Sequence, residues 1–176
     1  METGHDFLRA QVNNCIMQHQ ALLNTLRDQV EQADDPHFRE LCAKHIPIME
    51  RHQTMVEAYG NTIGTHGGGA LKNALGAVLS KARDAVDSFR ETDFLRVVGD
   101  IVMIRQAQDT FATFARAGEL LGKKELAELG RACEADHIET QREFNEYIAT
   151  LFVAHINGAV PATGSLSMSA TAAHSK

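Results

Sequence analysis

Tryptophan is absent from this chain of 176 residues, and tyrosine, cysteine and proline number only two, three and three. Three cysteines are an odd count, and Cys15, Cys42 and Cys133 show no CxxC spacing, which argues against a disulfide framework. Lying on or beside apolar stripes, they are expected to pack as reduced thiols. No Lys/Arg run is present, and a net charge of -6 with a pI near 5.8 offers no basic face to neutralise phosphates. Nucleic acid and anionic membrane surfaces are therefore not expected partners. The start, Met1-Glu2-Thr3-Gly4-His5-Asp6, lacks a basic region followed by an apolar stretch, and no uninterrupted apolar run of membrane-spanning length occurs. A cytoplasmic address without a membrane span is the expectation. Alternating strand-like patterns are nearly missing as well, so the fold class is all-α.

What is present is helical periodicity from residue 6 to about 155. The first stripe runs Leu8, Val12, Cys15, His19, Leu22, Leu26 and Val30, alternating steps of three and four as an interior seam does. It stops at Ala33-Asp34-Asp35-Pro36, where Asp35 is placed to cap the next helix and Pro36 to take its first position. The second stripe carries Phe38, Leu41, His45, Ile48, His52, Met55 and Tyr59 and ends in a glycine-rich run. Pro47 lies inside it and removes the hydrogen bond to the Ala43 carbonyl, which predicts a bend beside His45. A shorter amphipathic stretch, Leu71 to Phe89, reads as a crossover that returns the chain along the bundle. An Asp93 cap then opens a third long helix with Phe94, Val97, Ile101, Ile104, Gln108, Phe111, Ala115 and Gly118 on its seam. After a Gly122-Lys123 turn the fourth shows Leu126, Leu129, Cys133, His137, Gln141, Phe144, Ile148 and Leu151. Residues 1–157 form one helical bundle on this reading. The remainder, 158–176, is small, hydroxylated and free of acidic side chains, and reads as a flexible tail.

Several seam positions that a bundle fills with Leu or Ile hold polar residues instead. Helices joined by a short turn place residues equidistant from it at one height. His19 then faces the level between Met49 and His52, beside Glu50, and His137 faces the level of Ala107 to Asp109. With the two hairpins packed middle to middle, His19, His52, Glu50, Gln108 or Asp109, and His137 share one polar layer, with Glu134 a turn before His137 on the same side. Buried imidazoles and carboxylates must be compensated by each other, by water or by a cation. His19, Glu50, His52, Asp109, Glu134 and His137 are thus the candidate metal ligands. The plainer reading of Glu50 and Asp109, one position off their seams, is a boundary carboxylate paired with Arg51 or Arg105. His45 is the seam histidine best explained as structural.

Glu134-Ala135-Asp136-His137 is an ExxH step, preceded on the third helix by Arg105-Gln106-Ala107-Gln108-Asp109-Thr110-Phe111. With the hairpin, crossover and hairpin layout, these stretches resemble the ferritin-like superfamily, most closely small stress-associated bacterial members. The resemblance implies a ferritin-like four-helix bundle of two antiparallel hairpins joined by a long crossover with an extra amphipathic helix. It also implies a site in which each hairpin gives one carboxylate and one ExxH. This chain departs from that set: His19 and Met49 stand where glutamates are expected, Glu50 comes one residue late, and Gln108 or Asp109 replaces the remaining glutamate. No HxxxH pair supports a hemerythrin-like site, and Gly67-Gly68-Gly69 lacks the lysine of a phosphate loop.

The functional expectation is a metal-binding protein with a His-rich, carboxylate-poor interior site for Fe, Zn or Mn, serving metal handling or an oxidative stress response. The alternative is a metal-free bundle acting by self-association, as a homodimer, or by protein interaction. In that case the interior histidines bond to each other and to Gln108 and Gln141.

Overall fold

The computed structural model describes residues 4–65 and 92–158, and the described residues form four α-helices with no strand among them. Helix α1 spans Gly4–Gln32 and α2 spans Pro36–Thr62. Asp35 makes the reversal between them, its carboxylate accepting the His37 amide at 2.8 Å while Pro36 takes the first position, where no amide hydrogen is needed. Helix α2 continues through Pro47. Both Pro47 and Ala43 are exposed, so water can serve the carbonyl that the proline leaves without a donor.

Helices α3, Asp93–Leu120, and α4, Lys124–Ile156, turn at Gly122, whose φ of 65° only glycine adopts without strain. Thr92 rather than Asp93 caps α3, its side chain accepting from the Leu95 amide. Asp93 has another task. Its carboxylate accepts the Asp35 amide at 2.6 Å and ties the start of α3 to the first turn. Tyr147 of α4 donates to the Asp35 carboxylate at 2.7 Å and stacks on Phe38. One end of the bundle therefore collects the α1–α2 turn, the start of α3 and the end of α4. Helices α1 and α4 run one way, α2 and α3 the other, and α1 packs on α2 and α3 while α4 packs on α3 and α2. Every one of these pairs is antiparallel, and α2 ends at the far end from where α3 begins. The expected crossover helix over 71–89 and, apart from Gly158, the expected tail 158–176 lie outside the described residues.

Apolar seams fill the space between the helices. Leu22, Leu26, Met49, Ile104, Leu126 and Phe144 are completely or almost completely buried, each contributing on the order of 1.5–3 kcal/mol by leaving water. Cys15, Cys42 and Cys133 are buried and unbonded, and burial pushes the Cys15 and Cys133 thiols up to about 12. Among the described residues no helix is long and apolar enough to cross a membrane.

The α3–α4 pair is held closest. A Cβ on Gly118 would come 2.4 Å from the Ala127 nitrogen, and one on Gly130 would come 2.2 Å from the Ala115 nitrogen and 2.6 Å from the Phe111 carbonyl oxygen. Backbone thus meets backbone at two successive levels, which fixes the height of α4 against α3. Helix propensity alone would make Gly130→Ala stabilising by up to about 1 kcal/mol. The opposing atoms are backbone and cannot rotate away, so overpacking of about 1–3 kcal/mol should win. Thermal unfolding of Gly130→Ala should show a Tm several degrees below that of the unchanged protein; an equal or higher Tm would mean that the helices separate freely.

Candidate metal centre

Three helices bring one histidine each to the bundle axis. His19 of α1, His52 of α2 and His137 of α4 are 1%, 0% and 0% exposed. Their ring centroids lie 5.9 Å (His19–His52), 5.5 Å (His19–His137) and 5.0 Å (His52–His137) apart. One nitrogen of each ring lies within 4.8 Å of a nitrogen of each of the others. Helix α3 supplies no polar ligand to this layer. It contributes Phe111, whose ring sits 5.8, 6.1 and 5.3 Å from the rings of His19, His52 and His137. The glycine contacts set Gln108 opposite His137, but a helical side chain leans toward the N-terminus of its own helix, so Phe111 fills the level of Gln108.

Each imidazole is tied outward by one nitrogen. His137 Nδ1 donates to the Cys133 carbonyl at 2.8 Å, and His52 Nε2 donates to the Asp136 carboxylate at 2.8 Å. Both partners are pure acceptors, which places the proton on those nitrogens. His19 Nδ1 meets the side-chain oxygen of Gln53 at 3.1 Å. The Gln53 amide nitrogen is already donating to Glu57 at 2.7 Å and to the Ile16 carbonyl at 3.3 Å, so its oxygen must face His19 and accept. The nitrogens left over are His19 Nε2, His52 Nδ1 and His137 Nε2, all buried and without a partner. In neutral rings these three are bare lone pairs. The layer therefore presents three acceptors that no donor serves among the described residues.

The other expected ligands stand elsewhere. Glu50 is exposed and accepts from Arg27 at 2.7 Å, rather than from Arg51 or Arg105. Asp109 is exposed and pairs with Arg105 at 3.1 Å, the plainer of its two readings. Glu134 is half-buried and not among the converging side chains. Both nitrogens of His45 are engaged, Nε2 by Glu143 at 3.0 Å and Nδ1 by Thr140 at 3.1 Å, which satisfies it as a structural residue. The interior rings do not bond to one another or to Gln108 and Gln141, because their hydrogens already serve Gln53, Asp136 and the Cys133 carbonyl. Asp136, Gln53 and Phe111 complete the site without having been expected in it. Asp136 also receives Arg51 at 2.6 Å; burial alone would raise its carboxyl, but the bonds from His52 and Arg51 outweigh that and hold it below its usual range.

Removal from water governs the rings. It lowers His19 to about 4 and His137 to about 3, against the raising effect of their hydrogen bonds, and the neighbouring histidines push both further down. His52 is also lowered, by burial against the pull of Asp136. All three are therefore neutral near pH 7, and no proton fills the gap between the lone pairs. These folded-state values lie below the unfolded value of about 6.5, so the unfolded chain binds more protons below that pH. Stability of the metal-free protein should be complete above pH 6.5 and decline continuously as the pH falls toward 4. Urea unfolding at pH 7.5, 6 and 5 in the presence of a chelator measures this; equal midpoints at all three would contradict a buried neutral triad.

Set against known protein families, characterised proteins and solved structures, the chain matches none.

Proposed function

We propose that this chain is a metal-binding helical bundle in which His19, His52 and His137 hold one divalent late transition-metal ion, zinc by preference. The observation that carries the reading is that His19, His52 and His137 bring one ring nitrogen each within 4.8 Å of the others in a buried layer, where each ring also has a nitrogen without a partner among the described residues. Three inward acceptors repel one another and forgo water, at a cost of several kcal/mol by order of magnitude. A cation removes both penalties. Metal–imidazole bonds of about 2.0–2.1 Å require nitrogens about 3.4 Å apart in a tetrahedral set, so ring nitrogens within 4.8 Å of each other need move inward by less than about 1 Å. The outer bonds to Asp136, Gln53 and the Cys133 carbonyl are those that orient metal-binding imidazoles and raise their basicity.

Ligand chemistry ranks the three expected metals. Neutral imidazole suits zinc and ferrous iron, whereas manganese and ferric iron call for carboxylate oxygens, and Glu50, Asp109 and Glu134 are not in the group. A di-iron oxidase centre is therefore not part of this proposal. The run of helix directions, with antiparallel hairpins and α2 ending opposite the start of α3, supports a ferritin-like layout in which this mononuclear site replaces the carboxylate one. Metal handling in the cytoplasm, with a link to oxidative stress, is the role that this reading assigns.

Protein prepared without a histidine tag and stripped with chelator should take up one Zn2+ per chain with a rise in Tm. His52→Ala and His137→Ala should abolish that rise, and Asp136→Asn should weaken binding by about 10–100-fold. Zinc uptake unaffected by the two histidine substitutions would refute the site.

One surface feature favours the second reading, self-association. Leu95, Val98 and Val102 form an i, i+3, i+7 apolar stripe on α3 and are 42%, 37% and 61% exposed. If this stripe joins two copies, sedimentation equilibrium should show a dimer that Val102→Lys dissociates; a monomer at tens of micromolar (on the order of a weak interface's Kd) would end that reading.

A further inference from the structure

The sides of the histidine layer are not equally closed. Between α1 and α2 stands Gln53, bonded to His19, Glu57 and the Ile16 carbonyl. Between α2 and α4 the His52–Asp136–Arg51 chain fills the seam. Between α3 and α4 the backbones touch at Gly118 and Gly130, and Phe111 lies over the three rings. The α1–α3 seam differs. It holds a cavity of about 20 Å³ lined by His19 together with Cys15, Gln18, Gln106, Ala107 and Thr110. A single water needs roughly 10–15 Å³ of such space, so the cavity has room for one.

Three donors leave a late transition metal short of its usual coordination. Structural zinc sites close with four protein ligands, while sites that exchange ligands have three and keep one position open. Among the described residues no other His, Cys, Asp or Glu joins the three histidines. Cys15, one turn before His19, lines the cavity but is not in that group. The cavity wall is uncharged. Thr110 donates its hydroxyl hydrogen to the Gln106 carbonyl at 2.9 Å, so its oxygen can still accept from a bound ligand, while the Gln18 and Gln106 carboxamides offer donors.

We infer that the ion's fourth position is taken by a small exogenous ligand, water or a monodentate inorganic anion, which reaches it from the α1–α3 cavity beside His19. This inference rests on the three-histidine reading above. It makes the centre an open, ligand-exchanging one rather than a structural staple. An uncharged wall and a dipositive ion favour a neutral or singly negative occupant, and the small cavity favours a small one.

Cobalt(II) serves as the spectroscopic stand-in for zinc, and azide as the probe anion. The Co2+-loaded full chain should show d–d bands that azide shifts in a saturable manner. Ala107→Leu, which fills the cavity, should retain one Co2+ per chain but bind azide about tenfold more weakly or not at all, a loss of about 1.4 kcal/mol or more. Gln106→Trp acts from the exposed rim and should also weaken azide binding, which keeps the test valid if the buried substitution fails to fold. Bound Co2+ whose spectrum ignores azide in the unchanged protein would overturn the open position and leave the metal site standing. An equal azide response in every variant that folds would overturn the route. Absence of any Co2+ uptake would overturn the three-histidine reading itself, and this inference with it.

Discussion

Everything distinctive about this bundle depends on which way three imidazole hydrogens point. Each is committed outward, to the Gln53 side chain, the Asp136 carboxylate or the Cys133 carbonyl. Three lone pairs are thereby committed inward. Had any one ring been reversed, its hydrogen would point into the layer and the layer would hold a donor. The outer acceptors prevent this, since a carbonyl and a carboxylate have nothing to donate and the Gln53 amide is held by Glu57 and the Ile16 carbonyl. The result is a neutral, buried, electron-rich pocket whose three lone pairs find no donor among the described residues.

The surrounding architecture holds that pocket at one level. The contacts of Gly118 and Gly130 lock α4 to α3, and the Asp35–Asp93 and Tyr147–Asp35 bonds lock the two hairpins together at one end. Height is thus set from both ends of α4. Phe111 and the apolar residues beyond it exclude water, which strengthens any charge interaction inside the layer and also keeps the histidines neutral. The same burial that lowers the ring pKa values keeps their nitrogens available to a metal at neutral pH, because no proton competes for them.

Much of this was legible from residue spacing. The seam steps placed His19, His52 and His137 on inward faces, and distance from the Asp35 turn and the Gly122 turn set their heights. Asp35 as cap and Pro36 as first residue followed from local chemistry. The carboxylates were less readable because they sit one position off the seams, where a single residue step turns a side chain by roughly 100° and its partner decides whether it faces in or out. Glu134 and Asp136 both precede His137, and it is Asp136 that bonds to His52 and Arg51 of α2. The ExxH pattern drew attention to Glu134, whereas a search for acceptors beside each histidine would have raised Asp136 and Gln53. Phe111 was hidden for a different reason: its Cα lies a turn beyond the layer, and only the lean of helical side chains brings its ring to it.

The most direct test of the account is the tautomer of each interior imidazole, measured by long-range 15N–1H correlation on metal-free protein at neutral pH. Nδ1 should be protonated in His19 and His137 and Nε2 in His52, with His19 Nε2, His52 Nδ1 and His137 Nε2 bare and shifting together when one equivalent of Zn2+ is added. A proton on any of those three inward nitrogens in the metal-free protein would contradict it.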